Sequence, residues 1–141
     1  MKIEFLSTLA VIAPDPPASR KLYAEALGLP LEGGAGEEEY QHSEQIHGCK
    51  HFGVWPLSQA AEACFGTEAW PADLPEPQAW MELDVDSPDD VAPATAEMAG
   101  RGYRILVDSK LEPWGQTVSH LLSPEGILVG IVYTPWMHEK A

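Results

Sequence analysis

Apolar positions in the first third of the chain follow two different rhythms. From Ile3 to Ala13 the residues are mostly aliphatic and β-branched, as a buried strand requires. The pattern changes at Asp15, which stands as a helix N-cap with Pro16 and Pro17 in the first turn. Ala18, Leu22, Ala26 and Leu27 then recur at helical spacing with Tyr23 beside them, while Arg20, Lys21 and Glu25 fall largely on the other face. Gly28 stands where a helix ends. Leu31 to Glu38 reads as an acidic, turn-rich loop, and Tyr40 to Gln45 and His51 to Leu57 read as two strands.

Residues 58–78 break this rhythm. SQAAEACFG has the composition of a short helix, and the prolines of PADLPEPQ that of a linker. The pattern then restarts. Trp80 to Val85 alternates as a strand, and DSPDD caps a helix that reaches Ala99 despite Pro93 and stops at Gly100 and Gly102. Tyr103 to Val107, Val118 to Leu122 and Ile127 to Tyr133 follow as strands, with a turn at Ser123-Pro124-Glu125-Gly126. A strand, a helix and further strands thus occur twice, and such a repeat implies paired units that bury a face together. The expected fold is α+β: two βαβββ modules within a single domain over residues 1–141. Module 1 covers about 1–57, the linker about 58–78 and module 2 about 79–141.

The stretch DPPASRKLYAEALGL resembles the first-helix signature of the vicinal oxygen chelate superfamily of glyoxalases, bleomycin-resistance proteins and extradiol dioxygenases. Asp15, Ser19, Tyr23, Leu27 and Gly28 match it, and Leu22 replaces the usual Phe. WMELDVDSPDDV is similar to the opening of the second module. PWGQTVSHLLSPEGILVGIVYTP is similar to the closing strands, with Ser-Pro-Glu-Gly where Asp-Pro-Asp-Gly is usual. The resemblance implies a cupped sheet, often completed across a homodimer, with the site inside the cup. It also implies where the metalloenzymes of the superfamily carry His, Gln or Glu ligands, and those positions hold Thr8, Trp80 and Gly130. A hydroxyl, an indole and a hydrogen atom make no divalent-metal site, so neither metal nor other cofactor is expected.

Strand alternation gives the lining instead. Thr8, Ala10 and Ile12 face inward, as do Trp80, Glu82 and Asp84, and Leu128, Gly130 and Val132. Trp55 shares a strand face with His51, Trp114 and Gln116 lead into the strand that carries His120, and all five join Thr8, Trp80, Glu82 and Gly130 as candidate ligand contacts. An aromatic wall with a few carboxylates suits flat or cationic organic molecules. Other readings stand beside this one. The tryptophans pack the cup shut; Glu82 is a satisfied carboxylate, or the base of a metal-free isomerase. His51, His120 and Glu82 form a displaced metal site of a glyoxalase-like lyase or dioxygenase. His42, His47 and His138 are expected to be exposed, and Cys49 lies close to His47 and His51 in sequence.

Charge narrows the partners. With 22 Asp plus Glu against 8 Lys plus Arg, the net charge is −14. Such a surface repels nucleic acid and anionic membranes and gathers cationic small molecules. Two cysteines without metal spacing favour a reducing cytoplasm, and no apolar run reaches the roughly 20 residues of a membrane span. The leading expectation is metal-independent binding or sequestration of a small, flat or cationic organic molecule by a cytoplasmic homodimer, without bond making.

Overall fold

The computed structural model describes residues 1–138 except Ala35, Glu37 and Glu38. The chain forms two compact units, one of Thr8–Trp80 and one of Met1–Ser7 with Met81–Ala141. Among the described residues, eight strands and three α-helices give an α+β fold.

In the Thr8–Trp80 unit the elements are β1 (Phe5–Ala13), α1 (Pro16–Arg20), β2 (Glu32–Gly33), β3 (Gln41–Ser43), β4 (Phe52–Pro56) and α2 (Leu57–Phe65). The strand order is β2-β3-β4-β1, with β4 parallel to β1 and antiparallel to β3. Asp15 caps α1 as its sequence suggests, its Oδ1 accepting from the Ala18 amide at 3.3 Å. The helix then widens into a π-helical segment over Lys21–Ala26, where the Leu27 amide reaches back to the Leu22 carbonyl. Wider turns no longer keep a 3.6-residue stripe in line. The expected apolar face is therefore not buried: Leu22 and Leu27 are 49% and 60% exposed, and Tyr23 packs on Phe52 instead.

One further feature of this unit departs from the sequence pattern. Strand β2 lies inside the stretch read as a loop; the Tyr40 carbonyl occupies the space a Cβ on Gly33 would need. Backbone proximity, not side-chain rhythm, makes this strand. SQAAEACFG, read as a short helix at the start of the linker, lies within α2, which buries Ala60, Ala61 and Cys64 and ends at Gly66 in the left-handed conformation (φ +75°). Beyond it Trp70 packs edge-on against Phe65 and donates its indole N–H to the Pro75 carbonyl at 3.0 Å.

The second unit holds β5 (Ala79–Asp84), α3 (Val91–Gly100), β6 (Ile105–Leu111), β7 (Thr117–Leu122) and β8 (Leu128–Tyr133). The order is β5-β8-β7-β6, with β7 antiparallel to both neighbours. Helix α3 packs Val91 and Ala94 against Val85, Leu121 and Ile131. Pro93 is its third residue, in the turn whose amides have no helical acceptor, so the missing N–H costs no helical bond. Trp80, Glu82, Asp84, Leu128, Gly130 and Val132, read from alternation as facing inward, are all buried. Among the described residues, no helix is long and apolar enough to cross a membrane.

The register of β6 against β7 slips twice, and Ser109 adopts φ +50° at the second slip. Buried Ser119 holds this bulge. Its Oγ accepts from the Ser109 amide at 2.8 Å and from Thr95 Oγ1 at 2.6 Å, tying β6 to α3. Ser119→Ala leaves the half-buried Ser109 amide short of an acceptor, whereas the Thr95 hydroxyl keeps the Val91 carbonyl at 2.7 Å, and a loss of about 1–2 kcal/mol in urea unfolding is expected.

Candidate functional site

Strand β5 places Glu82 and Asp84 two residues apart, so both carboxylates leave the same face, and both are buried. Such groups demand partners. For Glu82 the partner is Gln116, whose Nε2 donates to Glu82 Oε1 at 2.9 Å and to Thr134 Oγ1 at 2.8 Å. Gln116 Oε1 in turn accepts from the Trp114 indole at 2.9 Å, which fixes the orientation of the amide. Trp114 is 58% exposed. A hydrogen-bonded chain thus runs from a surface indole to a buried carboxylate.

Gly130 makes room for this arrangement. A Cβ there would stand 3.2 Å from Glu82 Cγ and 3.5 Å from His120 Cδ2, and His120 is its cross-strand partner. Glu82, Trp114, Gln116, His120 and Gly130, five of the residues singled out in the sequence, therefore lie together. Burial pushes the His120 imidazole down to about 4, with Lys110 adding to the effect, so the ring is neutral near pH 7.

Asp84 is a structural anchor. Its carboxylate accepts from the Thr134 amide at 2.7 Å and from Thr134 Oγ1 at 3.0 Å, and pairs with His138 Nε2 at 2.7 Å. His138 stacks on Tyr133 and tilts against Phe5. The expectation of an exposed His138 is thus corrected: only 13% of its side chain is accessible. No periodicity signals this contact, because His138 lies past the last strand.

In the Thr8–Trp80 unit, Thr8 is buried and Trp80 packs on Trp55 with ring centroids 4.2 Å apart. His51 takes different company. Its Nδ1 lies 2.9 Å from Glu44 Oε1 and its Nε2 2.6 Å from the Tyr40 hydroxyl. His42 Nδ1 lies 3.0 Å from the same Glu44 oxygen. Tyr40, His42 and His51 form a ring stack with interplanar angles of 15–18°. Burial lowers the proton affinity of His51 and His42 adds to this, while Glu44 opposes both. His42, expected to be exposed, is half-buried, and the acid beside His51 in its own unit is Glu44. The signal was present: Glu44 follows the last residue of β3, two past His42, and the register pairing His42 with Gly53 sets Glu44 opposite His51 when continued by one residue. The thiol of Cys49 donates to the His51 carbonyl at 3.3 Å, not to an imidazole.

The positions that the resemblance assigns to metal ligands do not fit a metal. Thr8 offers a buried hydroxyl, Trp80 a buried indole and Gly130 no side chain.

A family model described as Glyoxalase/Bleomycin resistance protein/Dioxygenase superfamily matches residues 6–131. No curated protein matches the chain. Among solved structures, a glyoxalase/bleomycin resistance protein/dioxygenase superfamily member from Vibrio splendidus 12B01 is similar over 92% of this chain and 100% of its own, at TM-score 0.57 and 15% identity. An NAD-dependent benzaldehyde dehydrogenase from Legionella pneumophila aligns over 89% of this chain and 96% of its own, at TM-score 0.59 and 12% identity. A 2,2',3-trihydroxybiphenyl 1,2-dioxygenase from Sphingomonas wittichii strain RW1 aligns over 92% of this chain but 42% of its own, at TM-score 0.55 and 18% identity. At these identities the likeness is one of fold, which hosts several chemistries.

The depressed proton affinity of His120 has a defined consequence for stability. Unfolded, the ring takes up its proton as pH falls through about 6.5; folded, it resists until about 4. Stability from this group is complete above pH 6.5 and declines toward pH 4. Between pH 7 and pH 5 the loss is about 2 kcal/mol, and His120→Gln is expected to remove that slope in denaturant titrations at the two pH values.

Proposed function

The chain belongs to the glyoxalase/bleomycin resistance protein/dioxygenase superfamily, and within it we propose that this protein captures a small, flat or cationic organic molecule without a metal and without making bonds. The observation that carries the reading is the hydrogen-bonded chain from exposed Trp114 through Gln116 to buried Glu82. An indole face attracts flat and cationic groups, and a preorganised carboxylate neutralises a positive charge drawn in behind it. Thr8, Trp80 and Gly130 support the metal-free part of the reading, since none offers a donor of the kind divalent ions take. The net charge of −14 raises the local concentration of cations before any specific contact is made.

In this reading Gln116 acts by position. It spends both ends of its amide on Glu82, Thr134 and Trp114, so its truncation frees the carboxylate's geometry as well as removing a bond. His120 presents a neutral ring, and Gly130 keeps the space beside both side chains clear. Assembly as a homodimer and a reducing, cytoplasmic setting belong to the same proposal; Cys49 and Cys64 form no disulfide.

Calorimetric titration with a panel of flat cationic aromatic compounds, run before and after dialysis against a chelator, tests this directly. One molecule bound per chain with unchanged affinity after chelation is expected. Failure of the whole panel, or binding abolished by the chelator, would contradict it, and the second result would favour a metal-dependent lyase or dioxygenase.

A further inference from the structure

We propose that His42, Glu44 and His51 form a binding site for a divalent transition-metal ion of the zinc type, on the β3–β4 hairpin. Continued one residue past its last pair, Ser43 with Phe52, the register of that hairpin sets Glu44 opposite His51 on the face of His42, and one ligand atom from each lies within 4.8 Å of the others. Two imidazoles and one carboxylate are a donor set that Zn²⁺ and Fe²⁺ take in proteins, with positions left over for water. Both Nδ1 atoms already face a single carboxylate oxygen at 2.9–3.0 Å. That spacing suits donors about 2.0–2.2 Å from a shared ion, so the site closes with small side-chain shifts.

The surroundings are those of a built site. Tyr40 meets the ring nitrogen of His51 that faces away from Glu44, at 2.6 Å. With Nδ1–H donating to Glu44, the tyrosine hydroxyl donates to Nε2; with an ion at Nδ1, the ring proton sits on Nε2 and the hydroxyl oxygen accepts it. One hydroxyl thus orients the ring in both states, the task outer partners perform for metal-bound histidines. The stack of Tyr40, His42 and His51 limits rotation of both imidazoles. Gly53 is what lets Tyr40 lie there: a Cβ would run into its hydroxyl and ring. Glu44 is 46% exposed while His42 and His51 are 27% and 17% exposed, so the cluster opens to solvent on the carboxylate side. An ion entering there meets a protein of strong negative charge.

Apoprotein prepared by dialysis against a chelator is titrated with Zn²⁺ against a chromophoric competitor and with Co²⁺ followed by its visible absorption. The variants are His42→Ala, Glu44→Gln, Tyr40→Phe and, as a control, His47→Ala, each checked for unchanged circular dichroism. One ion per chain is expected, with affinity lowered about tenfold or more by His42→Ala and by Glu44→Gln, and by about tenfold in Tyr40→Phe. The control should match the parent, because His47 is exposed and stands apart from the cluster. Absence of Zn²⁺ binding in the parent, or equal affinity in parent, His42→Ala and Glu44→Gln, overturns the proposal. Capture of the organic ligand after chelation is a separate readout, so either proposal can fail while the other stands.

Discussion

Two carboxylates on one buried strand face constrain the second unit more than any other feature. Removing Glu82 and Asp84 from water costs several kcal/mol each unless donors reach them. Those donors come from outside β5: Gln116 at the start of β7, and Thr134 and His138 at and beyond the end of β8. Thr134 joins the two sets, accepting from Gln116 and donating to Asp84. The order β5-β8-β7 is the arrangement in which these bonds are made. Gly130 belongs to the same constraint, since a side chain there would press on Glu82 and His120. The candidate site and the polar buckle of this unit are one network. A substitution in either is therefore expected to be felt in the other.

The first unit solves a similar problem with rings. His51 is largely enclosed and holds both of its nitrogens in contact, one with Glu44 and one with Tyr40. A backbone without side chains at Gly33 and Gly53 brings Tyr40 close enough to do this. The result is a compact donor cluster where the pairing of β3 with β4 ends. In an acidic protein, that edge concentrates two imidazoles where a cation would be held by more than bulk attraction.

How far the sequence reached depended on the kind of signal. Alternation placed Thr8, Ala10 and Ile12, Trp80, Glu82 and Asp84, and Leu128, Gly130 and Val132 on buried positions, because strand periodicity is local and strict. The Asp15 cap and the left-handed Gly28 were legible for the same reason. The π-helical turns after α1 were not, since the apolar spacing there fits an ordinary helix, and they leave Leu22 and Leu27 exposed. Strand β2 was hidden because glycine and backbone contacts make it. Among the site residues, those on adjoining strands of one unit were found together, whereas the partners of His51 required the hairpin register, and His138 required a contact between a tail and a strand.

The central claim is that the Glu82 carboxylate, held by Gln116, selects a positively charged ligand. The most direct measurement compares the affinities of a bound aromatic cation and its neutral isostere in the parent and in Glu82→Gln, at low and moderate salt. The parent is expected to prefer the cation by about tenfold or more, roughly 1.4 kcal/mol, and Glu82→Gln to lose the preference while still folding. An unchanged preference in Glu82→Gln would contradict it.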